Sequence, residues 1–258
     1  MPVTVPCGQC VGCRLEYSRQ WAMRCMHEAS LHDENCMITQ TYSDEFLPEK
    51  GSLDKSAFQK FMKRLRKEYD GKRIRYYHAG EYGDRFGRPH YHTLLFGHDF
   101  ADKTHWVNRR GFPVYRSATL ERLWPFGFSE IGSVTFESAA YVARYIMKKM
   151  NVTPQMYELD GIAPEYCTMS RDGGIGKEWY ERYKDEVYSA DSVIMRGREM
   201  KPPRFYDGLY EIDQPDRMVS VKGRRKRSVN EDDCTPERLD AKKACLEARV
   251  ALRKERAL

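Results

Sequence analysis

The stretch KRIRYYHAGEYGDRFGRPHYHTLLF, residues 72 to 96, constrains this chain more than any other. Two runs rich in β-branched and aromatic residues flank a polar loop holding a glycine and a proline, the signature of a β-hairpin with a long loop. At the head of the second run stand His90 and His92. On an extended strand residues i and i+2 point to one face, about 7 Å apart at the backbone. The two imidazoles can therefore converge on one small object, and a metal ion is the obvious candidate. Taken alone, the pair also suits two half-buried sheet residues bonded to their neighbours.

Helical patterns surround the hairpin. Residues 14–32 lack Gly and Pro and predict a helix, and Met37 to Tyr42 predict a strand. In SAFQKFMKRLRKEY, Phe58, Phe61, Met62, Leu65 and Tyr69 fall at helical spacing, and Ser56 with Gln59 resembles a capping box. GFSEIGSVTF predicts another strand ending near Phe136, followed by a helix over ESAAYVARYIMKKM. A short strand from Tyr166 to Met169 precedes a helix from about Lys177, and a last helix starts at Thr235-Pro236, where Thr suits the N-cap and Pro the first turn. These elements predict an α+β fold, a central antiparallel sheet flanked by helices. Residues 1–36 form a Cys-rich segment with an N-terminal helix, 37–190 the core, and 191–258 an irregular basic tail ending in the terminal helix. No internal repeat is present, and the absence of a G-x-x-x-x-G-K loop argues against nucleotide hydrolysis.

If the two halves of the hairpin are adjacent strands, Glu81 lies near its mouth and is the natural third ligand beside His90 and His92. His78, three residues from Glu81, points to the opposite face of a regular strand and joins only across a bulge. Two imidazoles and a carboxylate suit Mg2+ or Mn2+ on a phosphate, and equally a catalytic zinc. The nucleophile has to separate these. In AAYVARYIMKKM, Tyr141 and Tyr145 are four apart and share a helical face, with Lys148 near the same stripe. Two phenols and an ammonium are what phosphoryl transfer to tyrosine needs, although tyrosines at this spacing also serve simple packing.

RPHYH behind GEYG, followed by YVARYIMKK, resembles the HUH superfamily of rolling-circle replication initiators, named for histidine–hydrophobic–histidine. The fuller ordered set is similar to the replication initiators of the microviruses, in the gokushovirus branch. It comprises PCGQCVGCRLEYSRQWAMRC, MITQTY, the histidine and tyrosine motifs, GIGKEWYE and PPRFYDGLYE, over residues 6 to 211. The resemblance implies an HUH endonuclease core that nicks one strand of a phage origin, forms a 5′-phosphotyrosine link, leaves a 3′-OH primer and later rejoins the ends. By it His90 and His92 are metal ligands with Glu81 the third, Tyr141 and Tyr145 the paired nucleophiles, and Lys148 the motif lysine. The first strand motif departs from the family at Gln40, where an apolar residue is usual.

Five of the eight cysteines lie in the first 36 residues. Cys7, Cys10 and Cys13 are spaced closely enough to share one Zn2+, with Cys25 or His27 as a fourth ligand; reduced thiols packed on a helix are the alternative. Arg14, Arg19, Trp21 and Arg24 nearby can instead face DNA. The chain has 44 Lys+Arg against 38 Asp+Glu, so nucleic-acid affinity must come from local clusters. Arg88, Arg144, Lys149 and, within KGRRKR, Arg224 and Arg225 are the candidate phosphate contacts. No signal segment and no run as long as a membrane span is visible, which places the chain in the cytoplasm of a bacterial host. The expected partners are single-stranded origin DNA and the host helicase and polymerase. The rivals are a transposase or mobilisation relaxase with the same site, and a non-catalytic nucleic-acid-binding module held by zinc.

Overall fold

The computed structural model describes residues 6–83, 86–109, 111–148 and 154–255, without the side chains of 145–148, 154–156 and 253–255. In chain order the elements are α1 (Val11–Ala29), β1 (Asn35–Thr41), α2 (Lys55–Glu68), β2 (Arg75–Tyr82), β3 (Pro89–Phe96), β4 (Thr104–Arg109), β5 (Phe112–Arg116), α3 (Ala118–Leu123) and β6 (Ser129–Gly132). They continue with α4 (Phe136–Lys148), α5 (Pro154–Asp160), β7 (Tyr166–Met169), α6 (Lys177–Ala190), β8 (Val193–Met195), β9 (Arg198–Met200), α7 (Arg204–Asp213), α8 (Pro215–Arg227) and α9 (Pro236–Glu255). Two compact units result: Trp21–Arg182, which holds the large sheet, and the chain up to Gln20 grouped with that from Tyr183 onward. Among the described residues no helix is long and apolar enough to cross a membrane.

The large sheet has seven strands in the order β4-β5-β6-β1-β3-β2-β7, and every described pairing is antiparallel. The hairpin expected from residues 72–96 is β2–β3, at its interior. Ile38, Tyr91 and Leu95 look onto one face, where Phe58, Phe61, Met62 and Leu65 of α2 meet them with Leu120, Leu123 and Trp124. Tyr77, Ala79, Leu94 and Phe96 look onto the other, against Trp21, Ala22, Cys25 and Ala29 of α1 and Ala139, Val142 and Ala143 of α4. Helices on both faces explain why β2 and β3 read as nearly continuous apolar runs.

Several features differ from the sequence-based expectation. The strand expected to end near Phe136 stops at Gly132, and Phe136 opens α4. Asp54, not Ser56, caps α2: its carboxylate accepts from the Ser56 N–H at 2.7 Å, favoured because a carboxylate also complements the positive end of the helix. The β4–β5 hairpin was not foreseen, because β4 is exposed at every residue and lacks an inside–outside alternation. The tail is helical where an irregular segment was expected: Tyr206 and Tyr210, then Met218 and Val221, bury one stripe each, and Tyr210 stacks on Tyr188 with ring centroids 3.8 Å apart. KGRRKR is the C-terminal part of α8, where cations suit the helix dipole.

Four histidines of the sheet unit are buried: His92 at the histidine pair and, away from it, His27, His78 and His98. His78 packs flat on Phe58, with Nδ1 2.8 Å from Thr93 Oγ1 and Nε2 3.2 Å from the Tyr166 hydroxyl. Loss of solvent lowers His27 to about 3, His98 to about 4 and His78 well below the ordinary imidazole value. These rings stay neutral in the fold, while the unfolded chain protonates them below about pH 6.5. Their contribution is therefore fully present above that value and is lost as pH falls toward the folded-state values. Acidification from about pH 6.5 to about pH 5 should cost each on the order of 2 kcal/mol, read as a falling urea midpoint. A midpoint indifferent to pH in this range would mean that the rings are protonated in the fold.

A candidate metal and tyrosine centre on the sheet

Register assembles the site. Thr41 pairs with His90 and His90 with Glu81, while Thr39 pairs with His92 and His92 with Ala79, so these residues share one face. The Glu81 carboxylate leans diagonally, and its Oε1 lies 3.0 Å from His92 Nε2. The other nitrogen of His92, Nδ1, is 3.0 Å from Thr39 Oγ1. His90 Nδ1 donates to the Arg88 carbonyl at 2.7 Å. A carbonyl only accepts, so this bond places the proton on Nδ1 and leaves Nε2 with its lone pair. The rings of His90 and His92 are parallel, with centroids 6.4 Å apart. Gly83 makes room for His90: a Cβ there would stand 2.7 Å from the ring's Cε1. His78 lies on the opposite face, as expected.

Tyr141 comes from α4. That helix begins with a reciprocal pair in which the Ser138 N–H donates to Thr135 Oγ1 at 3.1 Å and the Thr135 N–H to Ser138 Oγ at 2.8 Å. Its buried stripe of Ala139, Val142 and Ala143 then sets Tyr141 on the flank, 40% exposed and edge-on to His92 with ring centroids 5.3 Å apart. Tyr145 and Lys148 follow on the same helix, but their side chains, and all of Lys149, lie outside the described residues. Arg144 is half-buried.

Two imidazoles, each with its second nitrogen held by an oxygen, and a carboxylate have the donor chemistry that suits a divalent cation. Glu81 and His92 are in mutual contact, with His90 one ring stack away. Among the described residues, the group whose ligand atoms all lie within 4.8 Å of one another is Cys7, Cys10 and Cys13. Cys7 Sγ and Cys13 Sγ are 3.9 Å apart, and the Cys10 and Gln9 N–H groups point at Cys7 Sγ at 3.2 and 3.4 Å. Those backbone donors favour the thiolate and lower the Cys7 thiol to about 7. Cys25 does not join them. It is buried in the core of the sheet unit, and burial pushes its thiol well up. His27 is likewise buried, stacked on Trp179 at 3.5 Å.

The candidate phosphate contacts divide sharply. Arg88 reaches Asp44 at 2.5 Å and the Tyr42 carbonyl at 2.8 Å from the surface beside His90. Arg224 is exposed and donates to the Tyr188 carbonyl at 3.2 Å. Arg225 is instead clamped between Asp191 and Asp207, five N–H···O contacts of 2.6 to 3.1 Å, and the pair of carboxylates raises its affinity for its proton. Its fork is engaged by these two carboxylates within the fold. Thr39 and Gly83 were missed from sequence, although the alternation of MITQTY puts residue 39 on one face with 37 and 41. Arg225→Ala should strand two half-buried carboxylates and destabilise the protein by roughly 3 kcal/mol in chemical denaturation. It should leave the salt dependence of single-stranded DNA binding unchanged, whereas loss of a phosphate contact lowers that slope by about 0.7.

Residues 35–150 match the family model of the replication-associated protein ORF2/G2P. The chain is 34% identical over 236 residues to the replication-associated protein VP4 of Bdellovibrio phage phiMH2K, covering 88% of this chain and 73% of that protein. It is 34% identical over 226 residues to the replication-associated protein ORF2 of Spiroplasma virus 4, covering 83% and 69%. With the replication-associated protein ORF4 of Chlamydia phage 1 it is 29% identical over 214 residues, 80% of this chain and 53% of that protein. No solved structure matches. An alignment of this extent, spanning the histidine pair, the tyrosine helix and the sheet that carries them, shows that the chain belongs to the replication-associated proteins of the microviruses, the rolling-circle initiators of the gokushovirus branch.

Proposed function

We propose that the chain is a metal-dependent, tyrosine-type DNA endonuclease and strand transferase that nicks a circular phage origin and later rejoins the ends. The observation that carries this reading is the ring of Tyr141 standing edge-on to His92, 5.3 Å between centroids, beside Glu81. In this reading a nucleophile on a helix and a cation-binding set on a sheet meet at one place.

His90, His92 and Glu81 are the residues that would hold Mg2+ or Mn2+. When bound, the cation polarises the scissile phosphodiester and offsets its charge. Thr39 and the Arg88 carbonyl hold the Nδ1 atoms, which keeps both Nε2 atoms turned to the ligand side. The oxygen of Tyr141 attacks phosphorus; the new P–O bond replaces the bond to the 3′ oxygen, which leaves with a proton as a 3′-OH. One phosphodiester replaces another, so the 5′-phosphotyrosine retains the energy needed for rejoining. Tyr145, one turn on, holds or cuts the second end, and Lys148 stabilises charge on the leaving oxygen. The substrate is single-stranded origin DNA in the bacterial cytoplasm, with host helicase and polymerase following.

Tyr141→Phe and Tyr145→Phe should each still form a covalent adduct with labelled single-stranded origin DNA in Mn2+, and the double variant none. His90→Ala or His92→Ala should abolish nicking while most DNA affinity remains, because phosphate contacts elsewhere supply it. An adduct formed by the double Phe variant would place the nucleophile elsewhere.

We further propose that Cys7, Cys10 and Cys13 hold structural zinc. Purified protein should carry about one zinc per chain, lost when the three are changed to Ser. Zinc-free protein that folds and nicks normally would return the cluster to simple packing.

A further inference from the structure

The face that carries His90 and His92 does not end at β1. Thr39 pairs with His92 on one side and with Glu130 of β6 on the other. Tyr115 pairs with Ile131, which sets Arg116 of β5 beside Glu130 on that same face. Thr104 and Val107 of β4 pair with Arg116 and Val114, with a bulge at Trp106 between them. One sheet surface therefore runs from the histidines across β1, β6 and β5 to the edge strand. At the usual strand spacing β5 is about 14 Å from β3.

This stretch carries an unusual set of side chains. Phe128, whose carbonyl accepts the Thr41 N–H beside the His90 row, is 63% exposed; Trp106 is 50% and Phe112 58% exposed. The Arg116 guanidinium lies 5.2 Å over the Trp106 ring. Arg109 reaches back across the face to Glu130, with bonds of 2.7 and 2.9 Å. Residues 103–116, KTHWVNRRGFPVYR, hold four cations and no acid; Arg110 among them lies outside the described residues. Single ion pairs that solvent reaches, such as Arg109–Glu130 and Arg116–Glu121, contribute little to stability, so a phosphate can replace the carboxylate at small cost.

A single exposed aromatic residue means nothing. Three flat rings interleaved with arginines, on a surface continuous with the candidate nuclease centre, have a specific chemical match. Unpaired bases stack on such rings whatever their sequence, and arginines track the backbone between them. Duplex DNA has no free base faces to offer, and an apolar protein partner has no use for the arginines. We propose that the β4–β5 hairpin and Phe128 form a single-stranded DNA platform leading the strand across the sheet to His90 and His92. Bases stack on Trp106, Phe112 and Phe128, while Arg109 and Arg116 meet phosphates. The choice of DNA as occupant rests on the nuclease reading above.

Trp106 makes the test direct. Of the four tryptophans, Trp21 and Trp124 are buried and Trp179 is half-buried against His27, so Trp106 is the exposed one. Titrating the intact protein with oligo-dT without added Mn2+ or Mg2+, and without chelator, should quench its fluorescence, and Trp106→Phe should remove most of that quench. Trp106→Leu and Phe128→Leu keep apolar bulk but lose the flat ring, and each should weaken oligo-dT binding on the order of ten-fold by anisotropy. A quench unchanged in Trp106→Phe, or unchanged affinity in both Leu variants, overturns the platform. Variants that alter only self-association would also overturn it, assigning the edge strand to a second copy of the chain. Adduct formation in Mn2+ is read separately. An adduct without quenching overturns the platform and leaves the nuclease; quenching without an adduct does the reverse.

Discussion

The antiparallel register of β1, β3 and β2 is the constraint on which the rest of this molecule depends. With a side-chain period of two, a slip of one residue would exchange every inward and outward position. Thr39, His92 and Ala79 in one row, and Thr41, His90 and Glu81 in the next, exist only in this register. It is strongly specified because both faces are buried: Tyr91 and Leu95 must enter the α2 core, and Leu94 and Phe96 the α1–α4 core. The energy that holds the histidines in place is thus mostly the packing of their apolar neighbours.

Two histidines on neighbouring strands show how completely environment decides chemistry. His78 and His92 are both buried, one on each face. The first stacks on Phe58, bonds Thr93 and Tyr166, and loses its affinity for a proton to burial. The second faces a carboxylate, a hydroxyl and a partly exposed phenol. A similar division separates the arginines: Arg225 is consumed by two aspartates, while Arg109 and Arg116 each hold a single, part-buried glutamate.

Much of the core was legible because its patterns are long and strongly periodic. The β2–β3 hairpin, the tyrosine helix, β7 and the starts of α6 and α9 follow from β-branched runs, helical spacing and caps. The α2 cap was misplaced by two residues, since Asp54 and Ser56 are both good caps and only geometry chooses between them. The β4–β5 hairpin and α7–α8 were not legible. An exposed strand leaves no alternation to read, and the short stripes of α7 and α8 become apolar faces only once Tyr188 offers a surface.

By itself the sequence determined which residue types carry the chemistry: a His-x-His strand head, a nearby glutamate, two tyrosines one helical turn apart and a tight cysteine triplet. Local spacing suffices for that, because periods of 2 and 3.6 are properties of the backbone. Tertiary structure alone decided which of them meet. It set Glu81 against His92 by a diagonal across strands, brought Thr39 from a strand fifty-three positions earlier to hold that imidazole, and turned Tyr141 edge-on to it. It also removed Cys25 and His27 from the cysteine cluster by burying them in the core. Cross-strand register and helix docking are collective results of packing distant apolar residues, and no local stretch of sequence contains them.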